Sequence, residues 1–577
     1  MTISDGQKLQ RHIRYVFLAF TVVIGGIHAY AARNNMNPDG ISYLDIAEAY
    51  IRGEWDLAIN AWWSPLYSWI LGLALSLFHP SAYWEFPLVH AVNFVIYIAA
   101  FGSFSFFLHE FIRALHKNGQ EAHANNKPTP LPAWTLALIG YTLFLIASLN
   151  LITISLVTPD MLVSVFVYFA AGLIVRMRRT GASWTSFILL GIVLGFGYLA
   201  KAPIFPLAFV FFASSILVVG SFRKALPKVS ISVFFFLLIA APFVFFLSEV
   251  KGKPTFGESG RINYAWYLNG PAEHIHWQGG PEGRGVPTHP TRKIFDSPAV
   301  YEFGSPIGGT YPPWYDPSYW HEGITPYFDF NAQLWTLYKS FNAYYDIFSR
   351  AHTVLFLGFI FFLIVGGVRP FLKNAKDQVV ILLPALSALG MFALVLVKDR
   401  YVAPFIVLLW LGVFAAVRAY DSVLSRNIVK GLVVAMVVVM MAAVFISSVP
   451  DALTAVRDIV KSRDAFRHIH WYVAQGLDQR NIQAGDKVSV ISHHVNGLTA
   501  YWARLAKVQI VSEIPSEEER TFWASDDARR NQILNLFVKT GARAVIAENV
   551  PDPYTRPEWK NIDGTSYYIY LLSTEKD

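Results

Sequence analysis

The stretch Tyr15–Ala47, YVFLAFTVVIGGIHAYAARNNMNPDGISYLDIA, changes character at its middle. Its first half is apolar for about the 20 residues that a helix needs to cross a bilayer. Its second half turns at Asn37-Pro38-Asp39-Gly40 and then takes up helical periodicity through Tyr50. Two acids, Asp39 and Asp45, therefore stand at the start of a helix just outside the membrane. Lys8, Arg11 and Arg14 before the span and Ala29-Tyr30-Ala31 at its end imitate a signal peptide. The apolar run is long for the roughly 7–15 residues of a signal core, so a retained span is expected.

The rest of the chain follows the same apolar grammar. Of 577 residues, 54% are hydrophobic and only 15% charged, with a mean hydropathy of +0.39. Soluble chains carry about 25% charged residues. Disorder is excluded by the hydrophobicity, and the composition argues against an ordinary soluble enzyme. Apolar blocks start near Tyr15, Pro87, Pro132, Met161, Trp184, Pro203, Ser230, Ala351, Gln378, Val402 and Gly431. The expected fold is thus a polytopic α-helical membrane protein with about eleven transmembrane helices. The shorter run Leu66–Phe78, with Trp62, Trp63 and Trp84 nearby, is expected to be a juxtamembrane or re-entrant helix, because aromatics favour the interface.

Charge orients the bundle. With the N-terminus in the cytoplasm, Met1–Arg14, Arg113–Lys127, Arg176–Arg179, Arg223–Lys228, Arg369–Lys376 and Arg418–Lys430 all fall inside. Lysine and arginine concentrate in these connections, as the positive-inside rule requires. The net charge of +7 therefore reports topology, and no nucleic-acid partner is expected. The absence of cysteine excludes disulfides, thiolate metal sites and a cysteine nucleophile.

Three larger segments fall outside: a first loop, 33–86, a large loop, 249–350, and the C-terminal portion, 450–577. The expected division is a transmembrane module, 1–449, and a domain on the outer side, 450–577. In the latter, Val488–Ser492, Val508–Val511, Ala544–Ala547 and Tyr567–Leu572 read as strands, and Asp464–Leu477 and Ala528–Thr540 as helices. That alternation predicts a small soluble α/β domain. Neither a Walker sequence nor a dinucleotide fingerprint follows its strands.

Acids are costly near a bilayer and tend to be functional there. Asp39, Asp45 and Asp160 of Thr158-Pro159-Asp160 all fall on one membrane face. Each can equally be read as a helix cap or a dipole partner. Their shared face is harder to explain that way.

The residues resemble the membrane-embedded GT-C glycosyltransferases, nearest to the family-39-like bacterial enzymes, the protein O-mannosyltransferases and the lipid A aminoarabinose transferase. The resemblance rests on Pro38-Asp39 with Tyr43-Leu44-Asp45-Ile46, then Trp63-Ser64-Pro65-Leu66-Tyr67 and Thr158-Pro159-Asp160. Leu199-Ala200-Lys201-Ala202-Pro203 and Lys398-Asp399-Arg400-Tyr401-Val402-Ala403-Pro404 continue it. Ser64 replaces a lysine of the aminoarabinose transferases. Gly40 replaces the glutamate that follows the first aspartate in protein O-mannosyltransferases.

The resemblance implies a GT-C-like fold and inverting transfer of a sugar from a polyprenyl-phosphate-linked donor. The acceptor is a lipid, glycan or protein at the periplasmic face of a bacterial inner membrane. An acceptor hydroxyl needs a carboxylate as base, and a departing phosphate needs cations rather than an acid. Asp39 is expected as base, with Asp160 an orienting carboxylate and Asp45 a supporting one. Lys201, Lys398 and Arg400, and after them Arg261, are the expected phosphate-binding residues. Snorkelling of the same cations to the headgroups is the alternative. The large loop is rich in aromatics such as Tyr264, Trp266, Tyr267, Trp314 and Tyr319. They suit sugar stacking or a lid as well as docking at the interface.

The pairs His274/His276, His468/His470 and His493/His494 lack the spacing of a zinc protease motif. No cofactor is expected; a divalent cation such as Mg or Mn, held by Asp39 and Asp160, is the alternative. The competing function is a transporter or flippase. That reading calls for ionisable residues in mid-span and broken helices in matching halves, where this chain gathers its ions at one face.

Overall fold

The computed structural model describes residues 3–117, 129–270, 276–280, 283–289, 291–319, 321–419, 423–461, 468–493, 501–551 and 557–572. His274 and His494 lie outside the described residues. In chain order the principal helices are α1 (Ile3–Ala31), α2 (Pro38–Arg52), α3 (Pro65–Phe78), α4 (Ala82–Lys117) and α5 (Ala133–Leu145). They continue with α6 (Asp160–Thr180), α7 (Trp184–Ala200), α8 (Ile204–Val219) and α9 (Phe222–Lys251). After the large loop come α10 (Phe330–Ala351), α11 (Thr353–Gly366), α12 (Val379–Ala393), α13 (Asp399–Ala416) and α14 (Val423–Lys461).

The chain is a multi-pass membrane protein. Among the described residues, 8 helices are long and apolar enough to cross a bilayer, or 9 if the bent pair Phe330–Arg350 and Thr353–Gly366 is one span. The expected count of eleven is reached only by adding α7 and α8, at 17 and 16 residues. The turn through Lys201–Pro203 interrupts the apolar run there and leaves both helices short. α3 has 14 residues and follows α2 outside the long spans. Its Ser68 hydroxyl donates to the Tyr43 carbonyl at 2.9 Å.

Close helix approach depends on small residues, as is usual where apolar side chains gain little by leaving lipid. A methyl group on Gly191 of α7 would come 2.1 Å from the Ser232 carbonyl oxygen of α9. The Ser232 hydroxyl in turn donates to the Phe187 carbonyl at 2.6 Å.

Outside the bundle, one seven-stranded mixed sheet draws on two parts of the chain. β1 (Thr291–Asp296) and β2 (Ala299–Phe303) come from the large loop. β3 (Lys487–His493), β4 (Gln509–Pro515), β5 (Ala544–Glu548), β6 (Trp559–Asn561) and β7 (Tyr567–Leu571) come from the C-terminal segment. The order is β1-β2-β4-β3-β5-β7-β6, with β3 parallel to both neighbours. Tyr301↔Glu513 and Glu302↔Ser512 join the two parts. Alternate strand residues face opposite sides. Val488, Val490, Ile510 and Ile546 meet Trp502 and Tyr319 on one face, and Ile491, Val511 and Val545 meet Phe522 and Phe537 on the other. All four strands expected from the C-terminal sequence are present, β6 is a fifth from that segment, and the loop adds two more.

Candidate active site

The site begins with an amide clamp. Asn37, the residue before α2, accepts from the Val157 N–H at 2.8 Å and donates to its carbonyl at 3.4 Å. This ties the start of α2 to the hairpin that leads into α6, and so brings Asp39 beside Asp160. The packing at this junction is tight: a methyl group on Gly40 would lie 2.5 Å from Met36 Sδ and 2.8 Å from Val157 Cβ. The departure noted at Gly40 thus has a steric reason, because no side chain fits there in this arrangement.

Asp39 and Asp160 converge on one guanidinium. Arg400, in the first turn of α13, donates from Nη2 to Asp39 Oδ2 at 3.2 Å, and its Nε lies 3.2 Å from Asp160 Oδ2. Lys201, at the end of α7, forms an ion pair with Asp160 Oδ1. Its ammonium also sits 3.7 Å from the centre of the Tyr401 ring, where the ring face attracts a cation. Four residues from four segments therefore form a single cluster of two carboxylates and two cations.

That cluster has slack. Asp160 Oδ2 and Arg400 Nε are buried and close, yet neither is aligned for a hydrogen bond. The Asp39 and Arg400 side chains keep 20% and 24% of their surface exposed. Burial raises the Asp39 pKa; Arg400 and Lys201 oppose the shift, and Asp160 adds to it. A carboxylate held above its ordinary range is a better proton acceptor than an unperturbed one. Tyr43 is buried against Tyr67 and Trp63, with ring centres 5.1 Å apart in both pairs. Tyr267 of the large loop feels the charges of Arg400 and Asp39, and burial pushes its hydroxyl up to about 12.

The other expected residues lie elsewhere. Asp45 is 5% exposed and accepts from the Thr310 N–H at 2.7 Å, the Thr310 hydroxyl at 2.8 Å and Arg504 at 3.0 Å. Arg504 belongs to the short helix Tyr501–Ala506 and also donates to Glu85 at 2.7 Å and to Glu48 at 2.5 Å. Lys507 joins both glutamates at 2.9 and 3.4 Å. Asp45 thus sits in a clasp between α2, α4, the large loop and the C-terminal segment. Arg261 donates to Glu258 at 2.5 Å and to the carbonyls of Glu322 at 2.5 Å and Ile324 at 2.8 Å, which braces the loop. Lys398 is exposed at the N-terminus of α13, without an ion pair among the described residues.

Sequence reasoning missed Asn37 as a clamp, Tyr401 as the ring beneath Lys201, and Arg504 altogether. The first two lie inside quoted motifs, so position was their signal. No local pattern marks Arg504. Among the described residues no group of three metal-ligating side chains gathers, and the position between Asp39 and Asp160 is filled by the Arg400 guanidinium.

No family model matches the chain, and no curated protein matches it. Its structure is similar to that of ArnT from Cupriavidus metallidurans in the apo state, with a TM-score of 0.50, 12% identity and 97% of each chain covered. ArnT from the same organism bound to undecaprenyl phosphate gives 0.48 at 13% identity, over 97% of this chain and 98% of that one. The Archaeoglobus fulgidus oligosaccharyltransferase complex with Zn and sulfate gives 0.45 at 12% identity, over 92% of this chain and 68% of that one. With apo ArnT matched end to end, this chain is a polytopic membrane protein with the GT-C fold.

Proposed function

We propose that the chain transfers a sugar from a polyprenyl-phosphate-linked donor to a lipid, glycan or protein acceptor, with inversion, at the periplasmic face of a bacterial inner membrane. The observation that carries this is the convergence of Asp39 and Asp160 on Arg400, with Lys201 alongside. It supplies a proton acceptor and two cations in one place, which are the groups such a transfer needs.

In the reaction, the donor phosphate takes the guanidinium hydrogen bond that Asp39 now accepts from Arg400 and accepts another from an N–H of the Lys201 ammonium not used by Asp160. This releases Asp39 from Arg400. The acceptor hydroxyl gives its proton to Asp39 as its oxygen bonds to the anomeric carbon. The carbon–oxygen bond to the phosphate breaks on the opposite face, and the lipid phosphate leaves as a monoester beside Arg400 and Lys201. One displacement inverts the anomeric centre. Asp160 holds Lys201 and Arg400 in position throughout. Tyr267, half-buried beside the cluster, provides an apolar face for a sugar ring.

The test is mass spectrometry of cell-envelope glycolipids and glycoproteins from deletion, complemented and Asp39→Asn strains. One sugar modification should vanish on deletion, return on complementation and stay absent in the variant. Envelopes indistinguishable across all strains would refute the proposal.

A further inference from the structure

The two helices that begin at the Asp39 cluster end together at a cavity. α6 runs from Asp160 to Arg178, and α13 leads from Arg400 to Arg418. At 1.5 Å per residue each path is about 27 Å, close to the roughly 30 Å of a hydrocarbon core. The cavity therefore opens at the opposite membrane face. Its lining is two-sided. Phe111, Leu115 and Ile381 give it an apolar wall, while Arg178, Asp377, Gln378 and Arg418 give it a polar one.

The polar wall is incompletely matched. Arg178 donates to the Asp377 carbonyl rather than to a carboxylate. Arg418 donates to the carbonyls of Ala415 and Val417 at 2.7 and 2.9 Å. Among the described residues neither guanidinium forms an ion pair, whereas the adjacent Arg179 is engaged by both Glu110 oxygens at 2.8 and 3.1 Å. Among the described residues of the lining, Asp377 is the single carboxylate beside the two guanidiniums. Gln378, only 2% exposed, lines the same space. Its side chain makes no capping bond to the helix it precedes and no other hydrogen bond among the described residues. Gln378 thus brings an amide with no protein partner among the described residues to the border of that open volume, beside the two guanidiniums.

We propose that this cavity binds a phosphoryl group, supplied by the headgroup of an anionic phospholipid in the leaflet at that face. Guanidiniums suit phosphate through paired, charge-assisted hydrogen bonds. The Gln378 amide would donate a further one. Basic pockets between membrane helices bind anionic headgroups on the same principle. The cavity's place at the ends of two membrane-spanning helices, level with the headgroups, favours a lipid over a soluble phosphate.

The test uses the full-length protein purified in detergent. Dioleoyl phosphatidylglycerol, dioleoyl phosphatidylcholine and glycerol 3-phosphate are titrated in parallel, with bound lipid read by native mass spectrometry and stability by thermal denaturation. Phosphatidylglycerol should be retained with about one lipid per chain and raise the Tm, while phosphatidylcholine should not. Arg178→Gln and Arg418→Gln should each weaken that retention by about tenfold or more, as expected for a lost hydrogen bond to a charged group. Arg178 is exposed, so its variant keeps the measurement meaningful if the Arg418 variant folds poorly. Equal stabilisation by glycerol 3-phosphate, lost in the same variants, would keep the phosphoryl site and overturn its lipid source. Equal retention of the two lipids, or retention of phosphatidylglycerol unchanged by both variants, would overturn the proposal.

Discussion

Two acid–arginine clusters share helix α2, and they differ in how completely they are closed. Around Arg504, the arginine, Asp45 and Glu85 are 3%, 5% and 4% exposed, and Asp45 also takes two bonds from Thr310. Around Arg400, the exposures of Asp39 and Arg400 are 20% and 24%, and one of its closest pairs is out of hydrogen-bond alignment. The same residue types thus make a sealed joint at one end of the helix and an exchangeable site at the other. A saturated cluster has nothing left to offer a ligand. The loosely satisfied one can trade its internal bonds for those of a substrate.

The largest expected effect falls on the sealed joint. Arg504→Ala leaves, among the described residues, the buried Asp45 without a cation and the buried Glu85 with Lys507 alone, and should cost about 3–5 kcal/mol of stability, read as a fall in Tm and in yield of folded protein. Arg400→Ala should leave the fold in place and weaken use of the phosphate-linked donor by at least about tenfold, the loss of bonds to a charged group. A Gly40→Ala variant should cost about 1–3 kcal/mol through overpacking against Val157, and should lower transfer because Asp39 shifts with the helix start. Lys398→Ala should be the mildest, with stability changed by no more than about 0.5 kcal/mol and donor use reduced by less than in Arg400→Ala.

Acid separates the clusters again. Because the Asp39 pKa is raised, this carboxyl takes up its proton early as pH falls, and transfer should fade on that limb. Burial pushes Glu48 upward as well, but Arg504, Lys507 and Arg52 outweigh it and hold it below its ordinary value. Its contribution to stability is present above the unfolded pKa and is lost only as pH falls through the depressed folded value. Asp45, raised by burial, contributes with the opposite sign. Measured against pH, transfer should therefore decline before the Glu48 contribution to the Tm does.

The open cluster was legible in the sequence and the sealed one was not. Charge is scarce at the span ends on that face, so Asp39, Asp160, Lys201 and Arg400 stood out, each beside an apolar run. Asp45 was visible for the same reason, but its partners were not. Thr310 lies in a long loop and Arg504 lies 459 residues further along, without any local motif. The helical spans followed from uninterrupted apolar length, except where the Lys201–Pro203 turn left α7 and α8 short. Strands β1 and β2 escaped notice because, among the described residues, β1 pairs only with β2, and the pairing of β2 with β4 is set by residues about two hundred positions apart, Tyr301 and Glu513.

Asp39 and Asp45 are six residues apart on one helix, and exchanging each carboxylate for its amide tests whether the two clusters truly divide the work. Sugar transfer and Tm should be measured on purified Asp39→Asn and Asp45→Asn side by side. Asp39→Asn should lose about 10²–10⁴-fold in turnover, the usual worth of a positioned base, with its Tm nearly unchanged. Asp45→Asn should lower the Tm and retain turnover per folded molecule. Substantial turnover by folded Asp39→Asn would contradict the assignment of Asp39 as the base.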